Sequence, residues 1–180
     1  MMSRVKKFGA RNILTDVVAS VLEDLGFRVK VEYVAFLEKN ISYYGKYTNQ
    51  IVADVLGEKI VEDLKFTVYV SCFNRADKAV AMDEIKTEYE VMRNMSIAPN
   101  VRVLVANSFL ENARKKAIEY GFMVIEIGET VTENNAEKAY LKVYGKLNKL
   151  FTEVSPKWMQ DFVESIKRLA NEIKKNLGEA

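Results

Sequence analysis

The chain of 180 residues contains no histidine, one cysteine and two prolines. Without histidine it cannot build a Ser-His-Asp or Cys-His catalytic site, or a zinc site with histidine ligands. The lone Cys72 excludes an internal disulfide, and its position in an apolar segment predicts a buried thiol in a reducing, cytoplasmic compartment. Any metal ion would therefore be a hard cation such as Mg²⁺ or Mn²⁺, bound by carboxylates.

The sequence also lacks an apolar run of about 20 residues, which a membrane span requires, and an apolar stretch after its basic start, which a signal peptide requires. We therefore expect no membrane partner. The formal charge of +2 is too small to indicate nucleic acid by itself. Its distribution is more informative, because Arg4, Lys6, Lys7 and Arg11 form a basic start without acids. Such a run is either a solvated tail or a phosphate-binding segment.

Hydrophobic periodicity predicts helices and strands that alternate over the first two thirds of the chain. The predicted order is a helix over 11–25, strands over 27–35, 51–56 and 66–73, a helix from 82 to 92, a strand over 101–106, a helix ending at Gly121 and a strand over 122–127. Ser108 and Glu111 match a capping box at the start of the third helix. Residues 38–50, which are polar and rich in tyrosine, are predicted to be a loop, and the charged residues 57–65 a polar connection.

This order predicts an α/β domain over residues 1–128, with three layers around a mixed central sheet. The main alternative, a doubly wound nucleotide-binding domain, has no glycine-rich phosphate motif to support it. Residues 129–180 carry two apolar stripes at helical spacing, separated by Pro156, and predict a C-terminal helical hairpin. That hairpin either packs on its own domain or forms a homodimer or another protein interface.

Several segments, taken in order, resemble a known superfamily. The first helix ends in Leu-Gly-Phe (25–27) before a strand, and Asp54 stands near the end of the second strand segment. Residues 103–109, Ala113, Ala117 and residues 121–125 follow as a strand-helix-strand unit. This layout over residues 11–128 resembles the restriction-endonuclease-like PD-(D/E)xK nucleases, above all Mrr-type restriction endonucleases and archaeal Holliday-junction resolvases.

The resemblance implies a site that this chain carries only in part. Asp54 matches the metal-binding Asp of the superfamily, and Asp16 on the first helix is a loose match to an assisting acid, with Thr15 beside it. The third strand of the superfamily carries an acid, one spacer and a Lys that together serve metal-dependent phosphodiester hydrolysis. This chain has Ser71-Cys72-Phe73 at that place. The resemblance therefore implies a nuclease-like frame with a degenerate catalytic site.

One alternative restores the site. Asp63 and Lys65 form an acid-x-Lys triplet nine residues after Asp54. If the third strand began early, Asp54 and Asp63 would bind Mg²⁺ or Mn²⁺, with Lys65 as the catalytic lysine and Asp16 assisting.

Three functions follow from these observations. The first is a DNA-binding or other nucleic-acid-binding protein without cleavage activity, acting as a paralogue or accessory subunit of nucleases. Its contacts would include the basic start together with Tyr43, Tyr44, Lys46 and Tyr47, since tyrosines stack on bases and lysine binds phosphate. The second is an active Mg²⁺- or Mn²⁺-dependent endonuclease that uses the restored site. The third is a structural or protein-interaction module that dimerises through its C-terminal helices.

Overall fold

The computed structural model describes residues 12–43, 46–95, 98–153, 157–176 and 178, with the backbone alone for 33–52, 153 and 157–163. The predicted order of helices and strands is confirmed. The elements are α1 (Ile13–Asp24), β1 (Arg28–Tyr43), β2 (Lys46–Val61), β3 (Leu64–Phe73), α2 (Met82–Arg93), β4 (Val101–Ala106), α3 (Glu111–Glu119), β5 (Met123–Glu126), α4 (Ala136–Glu153) and α5 (Lys157–Asn176).

The five strands form one mixed sheet in the order β1-β2-β3-β4-β5. β1, β2 and β3 form an antiparallel meander, and β4 and β5 join β3 as parallel strands. α2 connects β3 to β4, and α3 connects β4 to β5, as parallel pairing requires. The predicted α/β class with a mixed central sheet is confirmed.

Helix α1 packs on one face of the sheet. Its first turn is capped by Asn12, whose Oδ1 accepts the Leu14 N–H at 3.1 Å. Leu22 of α1 and the neighbouring Phe27 lie so close to Gly57 of β2 that a Cβ there would be 3.3–3.4 Å from their side chains. Glycine at position 57 therefore lets α1 approach the sheet.

Helices α2 and α3 contact each other and cover a hydrophobic core, to which Tyr69 and Phe73 of β3 also belong. Residues two apart on a strand share a face, so Ser71 lies on the same side of the sheet as these two aromatic residues. Val68, Val70 and Cys72 alternate with them. β3 is buried from Val68 to Phe73, which explains its nearly continuous apolar sequence.

Three local predictions were wrong. Residues 38–50 are predominantly strand: β1 and β2 pair at Tyr43↔Lys46, Ser42↔Tyr47 and Ile41↔Thr48. Aromatic and β-branched residues favour an extended chain, and that propensity outweighs the local polarity. The charged connection over 57–65 is also short, because β2 continues to Val61 and β3 begins at Leu64.

The third correction concerns the start of α3. Ser108 does not cap this helix, whose N-cap residue is Leu110 without a side-chain cap. The backbone of Ser108 and Leu110 is instead paired with Val80, with hydrogen bonds of 3.0 Å in both directions. This pairing extends the chain through Phe109 and delays the helix.

The chain divides into two compact units, Met1–Gly145 and Lys146–Ala180. The boundary lies further along the chain than the predicted boundary at residue 128, because the segment that follows β5 is bonded to the first unit. Asn74 binds both the N–H and the carbonyl of Val131, at 2.8 and 2.9 Å, and Lys142 donates to the Ile127 carbonyl at 3.0 Å. None of the helices within the described residues has the length and apolarity needed to cross a membrane.

The different surroundings of Gly57 and Gly145 predict opposite effects on stability when each glycine is replaced. Gly57→Val should destabilise the protein by about 1–3 kcal/mol, since the added methyl groups overpack Leu22 and Phe27. Gly145→Ala is the control, because a Cβ at that helical position has no atom within 4 Å. It should stabilise by about 0.5–1 kcal/mol. Urea unfolding measures both, and a stable Gly57→Val variant would contradict the close packing of α1.

Candidate functional site

Asp54 lies where β2 separates from β3. The antiparallel ladder between these strands ends at Val55↔Val70, whereas β3 continues beside β4 to Phe73. The Cys72 N–H donates to Asp54 Oδ2 at 2.7 Å. The carboxylate thus accepts from an amide just beyond the last backbone pair of this ladder.

A second acid lies opposite Asp54 on the neighbouring strand. The register Val31↔Val55 and Tyr33↔Ala53 places Glu32 of β1 beside Asp54. Glu32 has a φ of 53°, a left-handed conformation that is uncommon for a residue other than glycine. Burial raises the pKa of Asp54, the Cys72 amide lowers it and the Glu32 charge raises it, with a net increase.

Ser71 and Glu88 form the buried polar pair of this site. The Ser71 hydroxyl donates to Glu88 Oε2 at 2.8 Å. Both side chains are 3% exposed, and Glu88 comes from α2. Burial raises the pKa of Glu88 to about 7; the Ser71 bond opposes this increase, and the charges of Asp54 and Glu84 add to it. A carboxyl from the helix therefore contacts Ser71, the position that the sequence resemblance matched to an acid.

Phe73, the position that the sequence resemblance matched to a lysine, is apolar. Phe73 is 5% exposed and belongs to the core beneath α2 and α3. The Arg75 guanidinium lies 5.0 Å from the centre of the Phe73 ring and forms an ion pair with Glu84. Burial raises the pKa of Glu84, but the bonds from Arg75 and from the Ala81 N–H outweigh this and hold it below its usual value. The cation beside Phe73, Arg75, is therefore paired with the Glu84 carboxylate.

This donor set does not fit a divalent cation. One oxygen of Asp54 accepts a backbone amide, Glu88 is held by Ser71, and Phe73 has no donor atom. Mg²⁺ and Mn²⁺ require several oxygen ligands around one point. Within the residues that the structure describes, no group of three or more Asp, Glu and Cys side chains could hold a metal ion.

Asp63 and Lys65 lie at the other end of the β2–β3 hairpin. Asp63 is exposed in the turn, and Lys65 pairs with Ile60 in register. Ile60 is about 20 Å along β2 from Asp54 at the usual rise of a strand. The Lys65 ammonium is 2.7 Å from Glu58 Oε1, and Lys30 binds the same carboxylate at 3.2 Å. The structure therefore does not bring Asp63 and Lys65 to Asp54. β3 begins at Leu64, earlier than predicted, but its antiparallel register with β2 puts Lys65 opposite Ile60.

Some of the other predicted site residues belong to the part of the chain that the structure describes, and the rest lie outside it. On α1, the Thr15 side chain is buried and hydrogen-bonds the Cys72 thiol, and Asp16 lies in the first turn of the same helix. Burial raises the pKa of that thiol well above its usual value, in agreement with the predicted buried cysteine. The paired backbones of Tyr43, Lys46 and Tyr47 are described, whereas Tyr44 and the basic residues Arg4, Lys6, Lys7 and Arg11 lie outside the described residues.

Glu88 is the residue that sequence reasoning placed wrongly. An acid on an amphipathic helix is expected on the face exposed to water, yet Glu88 is buried. The spacing contained a signal, because Glu88 follows Ile85 by three residues and precedes Met92 by four. Both of these are core positions of the same helix stripe.

Comparisons with known proteins inform the fold alone. No family model matches the chain, and no curated protein matches it. A solved structure with a similar fold is the crystal structure of AF1548, a protein of unknown function. It is 17% identical, with a TM-score of 0.53 over 73% of this chain. The chain spans about two thirds of that protein, 66% of its length.

The Asp54–Cys72 bond predicts different outcomes for two substitutions of Asp54. Asp54→Ala leaves the Cys72 amide without its partner and should destabilise by about 1–3 kcal/mol. Asp54→Asn keeps an oxygen acceptor and removes a partly buried charge, so its stability should equal or exceed that of the original protein. Urea unfolding at pH 7 compares the three proteins. Equal stability of the Ala and Asn variants would show that the hydrogen bond contributes nothing.

Proposed function

We propose that this protein binds nucleic acid on a nuclease-like fold and does not cleave it. The observation that carries the proposal is the identity of two residues on β3. Ser71 is bonded to a buried helical carboxyl, and Phe73 is part of the core, at the two positions where a superfamily nuclease has an acid and a lysine. A phosphodiesterase needs charged groups there that contact metal ion and substrate.

The paired arm formed by β1 and β2 supports nucleic acid as the ligand. Residues 46–54 of β2 continue past the end of the β3 ladder and pair with β1 alone, over about 30 Å of strand. The major groove of a DNA duplex admits a two-stranded β-ribbon. In the backbone register, Tyr43 pairs with Lys46 and Ser42 pairs with Tyr47 at the described end of this ribbon. This arrangement favours a duplex over a single strand as the ligand.

The proposal predicts salt-dependent binding that depends on the arm. The protein should bind a DNA duplex or a branched junction at low salt, as measured by fluorescence anisotropy. Lys46→Ala should weaken binding and reduce the slope of log affinity against log salt by about 1, the loss of one phosphate contact. Lys115→Ala is the matched control, since Lys115 is exposed on α3 and paired with Glu111.

Two results would contradict the proposal. Failure to bind duplex, branched and single-stranded probes at low salt would exclude nucleic acid as the ligand. Cleavage of a junction that requires Mg²⁺ or Mn²⁺ and disappears in Asp54→Ala would establish an active nuclease. Cleavage that survives Asp54→Ala would point to a contaminant, so both proteins are assayed from parallel preparations.

We also propose that the protein forms a homodimer through α5. Ile166, Leu169 and Ile173 are 52%, 58% and 50% exposed. They follow one another at three and four residues and so share one face of the helix. A stripe of large apolar side chains is a normal protein interface and an unfavourable free surface.

The dimer proposal predicts that a charge on the stripe changes the mass in solution. Light scattering coupled to size exclusion should give twice the chain mass of 20.6 kDa for the original protein. Ile166→Glu should give the single-chain mass. Lys167→Glu, at an exposed position of the same helix, should remain dimeric. A single-chain mass for the original protein would refute the dimer.

A further inference from the structure

Glu88 is an acid in the dry layer between α2 and the sheet. It is 3% exposed, and its neighbours on the same helix face, Ile85 and Met92, belong to the apolar core. Its carboxyl accepts a hydrogen bond from Ser71 at 2.8 Å, which joins α2 to the central strand β3. A buried carboxylate normally has a cation or several donors, and a single neutral hydroxyl is weak compensation.

The charged groups nearest to Glu88 oppose its ionisation. Asp54 on β2 and Glu84 on α2 are both acidic and both act on Glu88. Two described cations act on Glu84: Arg75 forms an ion pair with it, and the charge of Lys78 also lowers its pKa. The thiol of Cys72 on β3 is neutral at physiological pH because its pKa is well above its usual value.

Strand β1 and helix α3 also pack against α2. Of the described cations of β1, Arg28 is exposed and Lys30 binds Glu58 at 3.2 Å, while the described acid Glu32 acts on Asp54. α3 buries Ala113 and Ala117, and its charged residues are exposed or paired with one another, as Lys115 is with Glu111. Arg102 of β4 lies 5.5 Å from the centre of the Phe122 ring. The proton is therefore the compensating charge that the described surroundings leave available to Glu88.

We propose that the Ser71–Glu88 pair is a proton-dependent latch between α2 and β3. α2 is held on β3 while the Glu88 carboxyl carries a proton. Ionisation strengthens the hydrogen bond from Ser71, but it also puts a buried charge beside the acids Asp54 and Glu84, and this larger cost loosens α2. Release of α2 would uncover the face of β3 that carries Ser71 and would open the surroundings of Asp54 to water. The inference does not depend on nucleic-acid binding, since it concerns the attachment of one helix.

The direction of the pH dependence follows from proton linkage. The pKa of Glu88 is about 7 in the folded protein and near 4.5 when the carboxyl is in water. The folded state therefore holds this proton more tightly, and the stabilisation is fully present below pH 4.5 and lost as the pH rises to about 7. Glu58, Glu84 and Glu129 have lowered pKa values, so they act in the opposite direction at more acidic pH and leave this window clear.

Hydrogen exchange of the full chain tests the latch. Protection factors, which correct for the intrinsic pH dependence of exchange, are measured for α2 and α1 amides from pH 5 to pH 8.5. α2 protection should fall by up to about tenfold per pH unit up to pH 7 and then level off. α1, on the other face of the sheet, should lose less protection. In Glu88→Gln, which keeps an acceptor for Ser71 without the charge, α2 protection should not change with pH.

The outcomes are separate. A fall confined to α2 and abolished in Glu88→Gln establishes the latch. Constant α2 protection in the original protein overturns it, and this measurement needs no variant to fold. An equal fall in α1 and α2 also overturns it, because Glu88 would then affect global stability without releasing a helix. Asp54→Asn is the control for Asp54, the other carboxyl whose pKa is raised. This variant should shift the α2 transition to lower pH without abolishing it. Complete loss of the transition would assign the effect to Asp54.

Discussion

Strand β3 is covered on both faces and bonded on both edges, and the rest of the domain depends on satisfying its polar groups. It pairs with β2 and β4 and is buried from Val68 to Phe73. Water cannot reach this strand, so each amide or hydroxyl on it needs a partner inside the protein. Where the β2 ladder ends, Asp54 supplies that partner for the Cys72 amide. Where a hydroxyl points toward α2, Glu88 supplies it for Ser71.

The same constraint decides what the site can do. A nuclease of this layout presents charges on the strand to a metal ion and a phosphate, which requires water and substrate to reach them. Here Ser71 and Glu88 are buried and bonded to each other, and the Arg75 guanidinium lies 5.0 Å from the centre of the Phe73 ring. The electrostatic character of the site is therefore that of a buried core with excess acid.

The sequence predicted the fold well because the signals for it are local. Alternation and helical spacing predict the type and order of the elements, and the apolar run of β3 predicts that this strand is buried. The extent of the β1–β2 hairpin could not be predicted, because pairing with β1 holds polar residues such as Thr48 and Gln50 in the strand although the local sequence favours a loop. Ser108 has the chemistry of a cap, but a backbone bridge to Val80 holds the chain extended there. Asp54 was identified from its position, whereas its partners depend on where β2 leaves the sheet.

Glu88 shows why an acid in a familiar position is weak support for catalysis. If a strand acid and a metal ion are removed from a carboxylate cluster, the remaining carboxyls need new compensation or they destabilise the domain. In this protein Asp54 has a backbone amide, and Glu88 has a hydroxyl and, at neutral or lower pH, a proton. Both acids therefore have structural reasons to be present without any substrate. The amide that Asp54 accepts accounts for this acid in the fold, so its presence alone does not assign a metal-dependent activity to the domain.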